Sequence, residues 1–150
     1  MSRLSDSLSS GDFVVTCELN PPKGVELGPL FDKAELLRDI SVAINVTDSA
    51  SSRMTMGNIA VAHLVLDRDI EPILQITCRD RNRLALQSDV LAAHALGISN
   101  LLVLSGDPPS NGDHPDAKAV FDLDAGALLR AVAGLQTGKD MAGNELQSAP

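Results

Sequence analysis

Four short apolar runs, each followed by a segment of helical period, recur along the chain, and this alternation limits its fold more than any other feature. The runs at 13–19, 41–46, 72–78 and 100–104 are rich in Val, Ile and Leu, with few polar interruptions. Continuous apolar strands of this kind belong to a parallel sheet that is covered on both faces or closed into a barrel. The segment 27–40 places Leu30, Phe31, Ala34, Leu37 and Ile40 at helical spacing. The segment 56–66 is helical in pattern and closes at Asp67-Arg68-Asp69. In 84–96 the predicted apolar stripe is Leu84, Leu91, Ala92 and Ala95, with Gly97 as the stop, and a last helix spans 123–135 and ends near Gly138. Residues 1–12 read as a polar lead-in, 13–138 as four βα units, and 139–150 as loop.

The loops after the strands are the long ones: 20–24, 47–53, 79–83 and 105–121. The turns before the strands are short. Function is therefore expected at the carboxyl ends of the strands, as in a (βα)8 TIM barrel. Such a barrel takes about 250 residues and eight units, whereas this chain of 150 residues holds four. The expected class is α/β of the TIM-barrel type, present as a half-barrel or truncated chain, with a small open α/β domain as the alternative. At the end of the fourth run, Ser105-Gly106 stops the strand and Asp107 follows, stiffened by Pro108-Pro109. Alone, this stretch reads more readily as ordinary turn chemistry than as a site.

Composition removes other classes. The net charge of −8 lacks the basic footprint a nucleic-acid partner requires. Nothing approaches the roughly 18 apolar residues of a membrane span, and residues 1–12 have no apolar signal core. Cys17 and Cys78 lie in predicted strands without a CxxC partner, which predicts buried thiols and a cytoplasmic setting. The three histidines and two cysteines show no metal-ligand spacing.

Four motifs end the four strands in order: Cys17-Glu18-Leu19-Asn20-Pro21-Pro22-Lys23, Asn45-Val46-Thr47-Asp48, Ile76-Thr77-Cys78-Arg79-Asp80-Arg81-Asn82 and Leu104-Ser105-Gly106-Asp107-Pro108-Pro109. Together they resemble the methylenetetrahydrofolate reductase family, flavin-dependent TIM barrels of one-carbon metabolism and methionine biosynthesis. The resemblance runs from about residue 13 to 135 and covers the amino-terminal half of that barrel. It implies FAD as cofactor, NAD(P)H as co-substrate and reduction of 5,10-methylenetetrahydrofolate to 5-methyltetrahydrofolate. Glu18 takes the place of the catalytic general acid that opens the folate's imidazolidine ring to the 5-iminium cation. A carboxyl holds a proton near neutrality only through burial or a neighbouring like charge, and Glu18 is expected to pack against apolar neighbours. Asp107 matches the aspartate beside the flavin that favours the cation electrostatically. Thr47 matches a flavin-bonding threonine. Gln75, Ser105 and Phe121 stand in the flavin site where better-studied bacterial members have histidine, arginine and tyrosine.

These exchanges remove a basic group and two hydrogen-bonding groups, which fits a more distant branch whose members work with a partner subunit or a fused methyltransferase. The arginines of 79–83 are expected to be solvated, with contact to folate or phosphate as the alternative. His63 and His94 are expected at the surface or between elements, and His114 on the active-site side. A half-barrel exposes two strand edges, which implies a homo-oligomer, a partner subunit or a continuation past Pro150. The alternatives to a reductase are a partner-dependent binding module without turnover and a flavin-free, pterin-using methyltransferase-like barrel.

Overall fold

A computed structural model describes residues 2–150 of the chain. Four strands, β1 (Thr16–Leu19), β2 (Ala43–Val46), β3 (Pro72–Thr77) and β4 (Asn100–Leu104), form one parallel sheet in the order β1-β2-β3-β4. The helices are α1 (Arg3–Ser10), α2 (Gly28–Arg38), α3 (Asn58–Leu66), α4 (Arg83–Ala95) and α5 (Ala125–Gln136), with 3-10 turns at Ala50–Ser52 and Pro109–Asn111. Among the described residues, no helix is long and apolar enough to cross a membrane.

A single core joins Leu19, Ile44, Val46, Leu74 and Ile76 of the sheet to Leu30 and Ala34 of α2, Val61 and Val65 of α3, Leu86 and Val90 of α4, and Leu128 and Leu135 of α5. Helices α2–α5 therefore all cover one face. That is what right-handed crossovers give when strand order advances without reversal, and it separates a barrel segment from a doubly wound sheet. Cover on both faces is not found; one-sided cover agrees with the other expectation, a barrel, of which these four strands form a segment. Successive strand residues alternate faces, so Glu18, Asn45 and Gln75 point away from the helices. The register sets Glu18 beside Asn45 and Asn45 beside Ile73.

The polar lead-in is a helix. Ser2 caps α1 reciprocally with Ser5, each hydroxyl accepting the other's backbone N–H at 3.1 Å. Gly11 closes it at φ +79°. The Glu71 carboxylate, just before β3, accepts the Arg3 and Leu4 N–H groups at 2.7 and 2.9 Å and the Asn100 amide at 2.9 Å. Burial opposes ionisation of Glu71, but these hydrogen bonds outweigh it and hold the carboxyl below its ordinary range. An anion at a helix N-terminus thus fastens α1 to the amino end of the sheet.

The predicted stripe of α4 is out of phase. Leu86, Val90 and Ala93 are buried, whereas Leu84 is 72% exposed and Ala92 and Ala95 face solvent. In α2 the prediction holds for Leu30, Phe31, Ala34 and Leu37, while Ile40 is exposed beyond the helix end. Cys78 is fully buried, which pushes its thiol pKa up, and Cys17 is half-buried.

Candidate active site

The carboxyl ends of β2, β3 and β4 surround a cavity of about 420 Å³. The stretch 48–51 forms one wall, Gln75, Thr77 and Arg79 the floor, and Leu104, Ser105, Gly106 and Asp107 the other wall. Asp48 joins the first wall to the floor: its Oδ2 accepts the Thr77 N–H at 2.8 Å and the Thr77 hydroxyl at 2.9 Å, and pairs with Arg81. Ser49, which caps the 3-10 turn that follows, and Ser51 and Ser52 within it have φ +49°, +53° and +56°. Left-handed backbone is costly for residues with a Cβ and collects at functional sites.

Three of the predicted site residues, Gln75, Ser105 and Asp107, line this cavity together. Glu18 joins them through Gln75, whose Nε2 donates to Glu18 Oε2 at 3.3 Å across the open face. The expected apolar burial of Glu18 is not found. Strand alternation sends Cys17 and Leu19 towards the helices and Glu18 to the uncovered side, where it is exposed. Thr47 is 1% exposed and its hydroxyl donates to Asn20 Oδ1 at 2.8 Å, tying the ends of β1 and β2 together beside the cavity rather than lining it. Phe121, at the far end of the 105–121 loop with φ +42°, is 41% exposed and also lies outside the lining.

The arginine run departs from expectation at Arg79, which is buried, and in part at Arg81, whereas Arg83 is solvated at the helix start as expected. Each has an acidic partner: Arg79 pairs with Asp80, Arg81 with Asp48 and Asp89, and Arg83 with Asp122. Arg79 is buried, and Asp80 raises its pKa against the opposing effect of burial. His63 bridges elements, with Nδ1 3.2 Å from Leu96 O, and His94 is exposed. His114 pairs with Asp113 and lines a neighbouring cleft of about 240 Å³ on the carboxyl side of the sheet. Ser52, whose hydroxyl donates to the backbone carbonyls of Asp107 and Pro108, lies in a Ser-rich stretch that reads as ordinary loop. The residue that could have exposed it is Gly112, an isolated glycine in the facing loop.

Four sequential parallel βα units with polar side chains gathered at the carboxyl rim define a chain of the TIM-barrel class. The family model of methylenetetrahydrofolate reductase matches residues 3–135, and the chain belongs to that family. Membership makes it a folate-related oxidoreductase of one-carbon metabolism in the general sense. A comparison with curated proteins returns no match.

Proposed function

We propose that the chain supplies four βα units of a flavin-dependent reductase that converts 5,10-methylenetetrahydrofolate to 5-methyltetrahydrofolate with electrons from NAD(P)H. The observation that carries this reading is the Gln75–Glu18 hydrogen bond. It couples the residue at the family's general-acid position to one at its flavin-site position, two strands away and beside Asp107.

The residues fit the ring of a flavin better than its phosphates. The Gln75 amide and Ser105 hydroxyl offer donors and acceptors next to the apolar Leu104 and Ala50, a pairing suited to a flat heterocycle with one polar edge. The arginines of 79–83 are committed to aspartates, so the phosphates gain no free guanidinium from that run. When bound, FAD supplies the two-electron relay between nicotinamide and folate. The chain's own contribution is to hold and move charge. Glu18 is exposed in the free chain, so its role as the acid requires the bound flavin and folate to cover it and exclude water. Oriented by Gln75, it would then give a proton to the folate nitrogen as the five-membered ring opens. Asp107, whose carboxylate forms no ion pair among the described residues, favours the cation that develops.

The test is Glu18→Gln, purified with flavin and followed by stopped-flow absorbance. Folate reduction should fall by about 10²-fold or more, the range of a lost general acid, while flavin reduction by NAD(P)H persists. Folate reduction at the unaltered rate, or a wild-type preparation that takes up no flavin, refutes the reading.

A further inference from the structure

The 105–121 loop carries Asp107, and it is fastened by Ser52, which lies outside the cavity lining, and by Arg79, whose side chain also forms part of the cavity floor. Ser52 is buried in the left-handed region. Its hydroxyl donates to Asp107 O at 2.7 Å and Pro108 O at 3.0 Å, and accepts from Arg79 Nη1 at 3.0 Å. Because Arg79 occupies the acceptor side of that hydroxyl, the Ser52 proton is directed at the two loop carbonyls. Arg79 Nη1 also reaches Asp107 O at 3.5 Å, while Nε and Nη2 grip Asp80 at 2.8 and 2.7 Å. The main-chain carbonyl of Arg79 accepts the Val120 N–H at 2.8 Å. One residue thus holds the loop near both ends.

Two glycines let the loop come this close. Gly106 has φ +90°, and a Cβ there would lie 3.1 Å from the Cβ atoms of both Thr77 and Arg79. At Gly112 a Cβ would lie 1.8 Å from Ser52 O. A buried arginine is costly to desolvate and adds little stability over apolar packing. What its planar fork provides is geometry, and here that geometry is set on the carbonyl of the residue bearing the rim carboxylate.

We infer that Ser52 and Arg79 are positioning residues that fix the Asp107 carboxylate relative to Glu18 and Gln75; the inference rests on the reductase reading and deepens it. Two measurements separate its failure from failure of that reading. The first needs no ligand: hydrogen exchange by mass spectrometry on the full chain. Ser52→Ala should speed exchange in peptides spanning 105–112 by about tenfold, the loss of roughly one hydrogen bond's protection, with β3 and α4 unchanged. Arg79→Lys, which keeps the charge and loses the fork, should do the same. Unchanged loop exchange in both variants overturns the clamp, whether or not the chain binds flavin.

The second is a double-mutant cycle on reoxidation of the reduced flavin by methylenetetrahydrofolate. Ser52→Ala should slow this step by about tenfold, as expected for a misplaced catalytic group, and leave flavin reduction by NAD(P)H within about twofold. In the Asp107→Asn background the same substitution should add nothing, because both act through one carboxylate. Losses that multiply independently overturn the positioning role, whereas a purely structural defect slows both half-reactions alike.

Discussion

Gly112→Ala isolates the contact between the β4–α5 loop and the turn after β2. At φ −106° and ψ −161°, Gly112 is in extended backbone open to any residue, so no dihedral penalty confuses the outcome. The added Cβ would lie 1.8 Å from Ser52 O, 2.5 Å from Ser52 C and 2.7 Å from Ser52 Cβ. Even a close carbon–oxygen contact needs about 3.3 Å, so one segment must retreat by roughly 1.5 Å. Ser52 is buried in a strained turn and has little room, so the loop should lift. Overpacking of this kind costs about 1–3 kcal/mol, and lifting also breaks the Ser52 bonds at about 1 kcal/mol each. A net loss of about 2 kcal/mol is expected, since lifting relieves part of the clash. Urea unfolding followed by far-UV circular dichroism measures it. The control is Gly24→Ala, where nothing lies within 4 Å and the change should stay within about 0.5 kcal/mol. Equal midpoints for the two variants would refute the close approach and the fastening that depends on it.

Two further predictions concern the scaffold. Leu86→Ala should cost about 2–5 kcal/mol, as for other emptied core sites, while Leu84→Ala on the same helix should cost under about 0.5 kcal/mol; the reverse order in denaturant titrations would restore the stripe predicted from sequence. Glu71→Gln should release α1, seen as faster exchange at 3–10 with the sheet unaffected. Because the folded carboxyl lies below its ordinary value of 4.5, the stability it contributes is full above that value and falls away as pH drops through the folded pKa. Equal pH dependence of wild type and Glu71→Gln between pH 3 and 6 would remove Glu71 as the anchor.

The strands were legible in place and order, and 100–104, between Gly97 and Ser105-Gly106, matches β4 residue for residue. The first run was drawn too long, since β1 begins at Thr16 and Phe13 is 94% exposed. The phase of α4 was not. Leu84, Leu86, Val90, Leu91 and four alanines spread apolar surface around the helix, so only tertiary contacts select the buried line. Helix α1 escaped notice because it buries no residue; its support is a reciprocal serine cap and a carboxylate from a distant part of the chain. For Glu18, apolar neighbours suggested burial, yet the two-residue period of a strand places those neighbours on the opposite face. Of the candidate site, the strand-end residues Gln75, Ser105 and Asp107 could be grouped from sequence and share one cavity, whereas Thr47 and Phe121 fall outside it. The fastening of the site was not legible, since a serine in a serine-rich loop and an arginine in a charged run both read as surface until the fold joins them.

The two rim carboxylates have different mechanical supports. Glu18 stands on β1, whose position relative to Gln75 is fixed by the ladder through β2. Altering that distance means slipping a strand, which would turn every side chain of that strand to the wrong face. Asp107 stands on a loop whose seat depends on Ser52, Arg79 and two glycines. Substitutions in those few residues can move one carboxylate while the other stays in place. The sheet therefore provides a fixed reference, and the loop is the adjustable arm along which the spacing of the rim, and the ligands it accepts, can diverge among barrels built on the same strands.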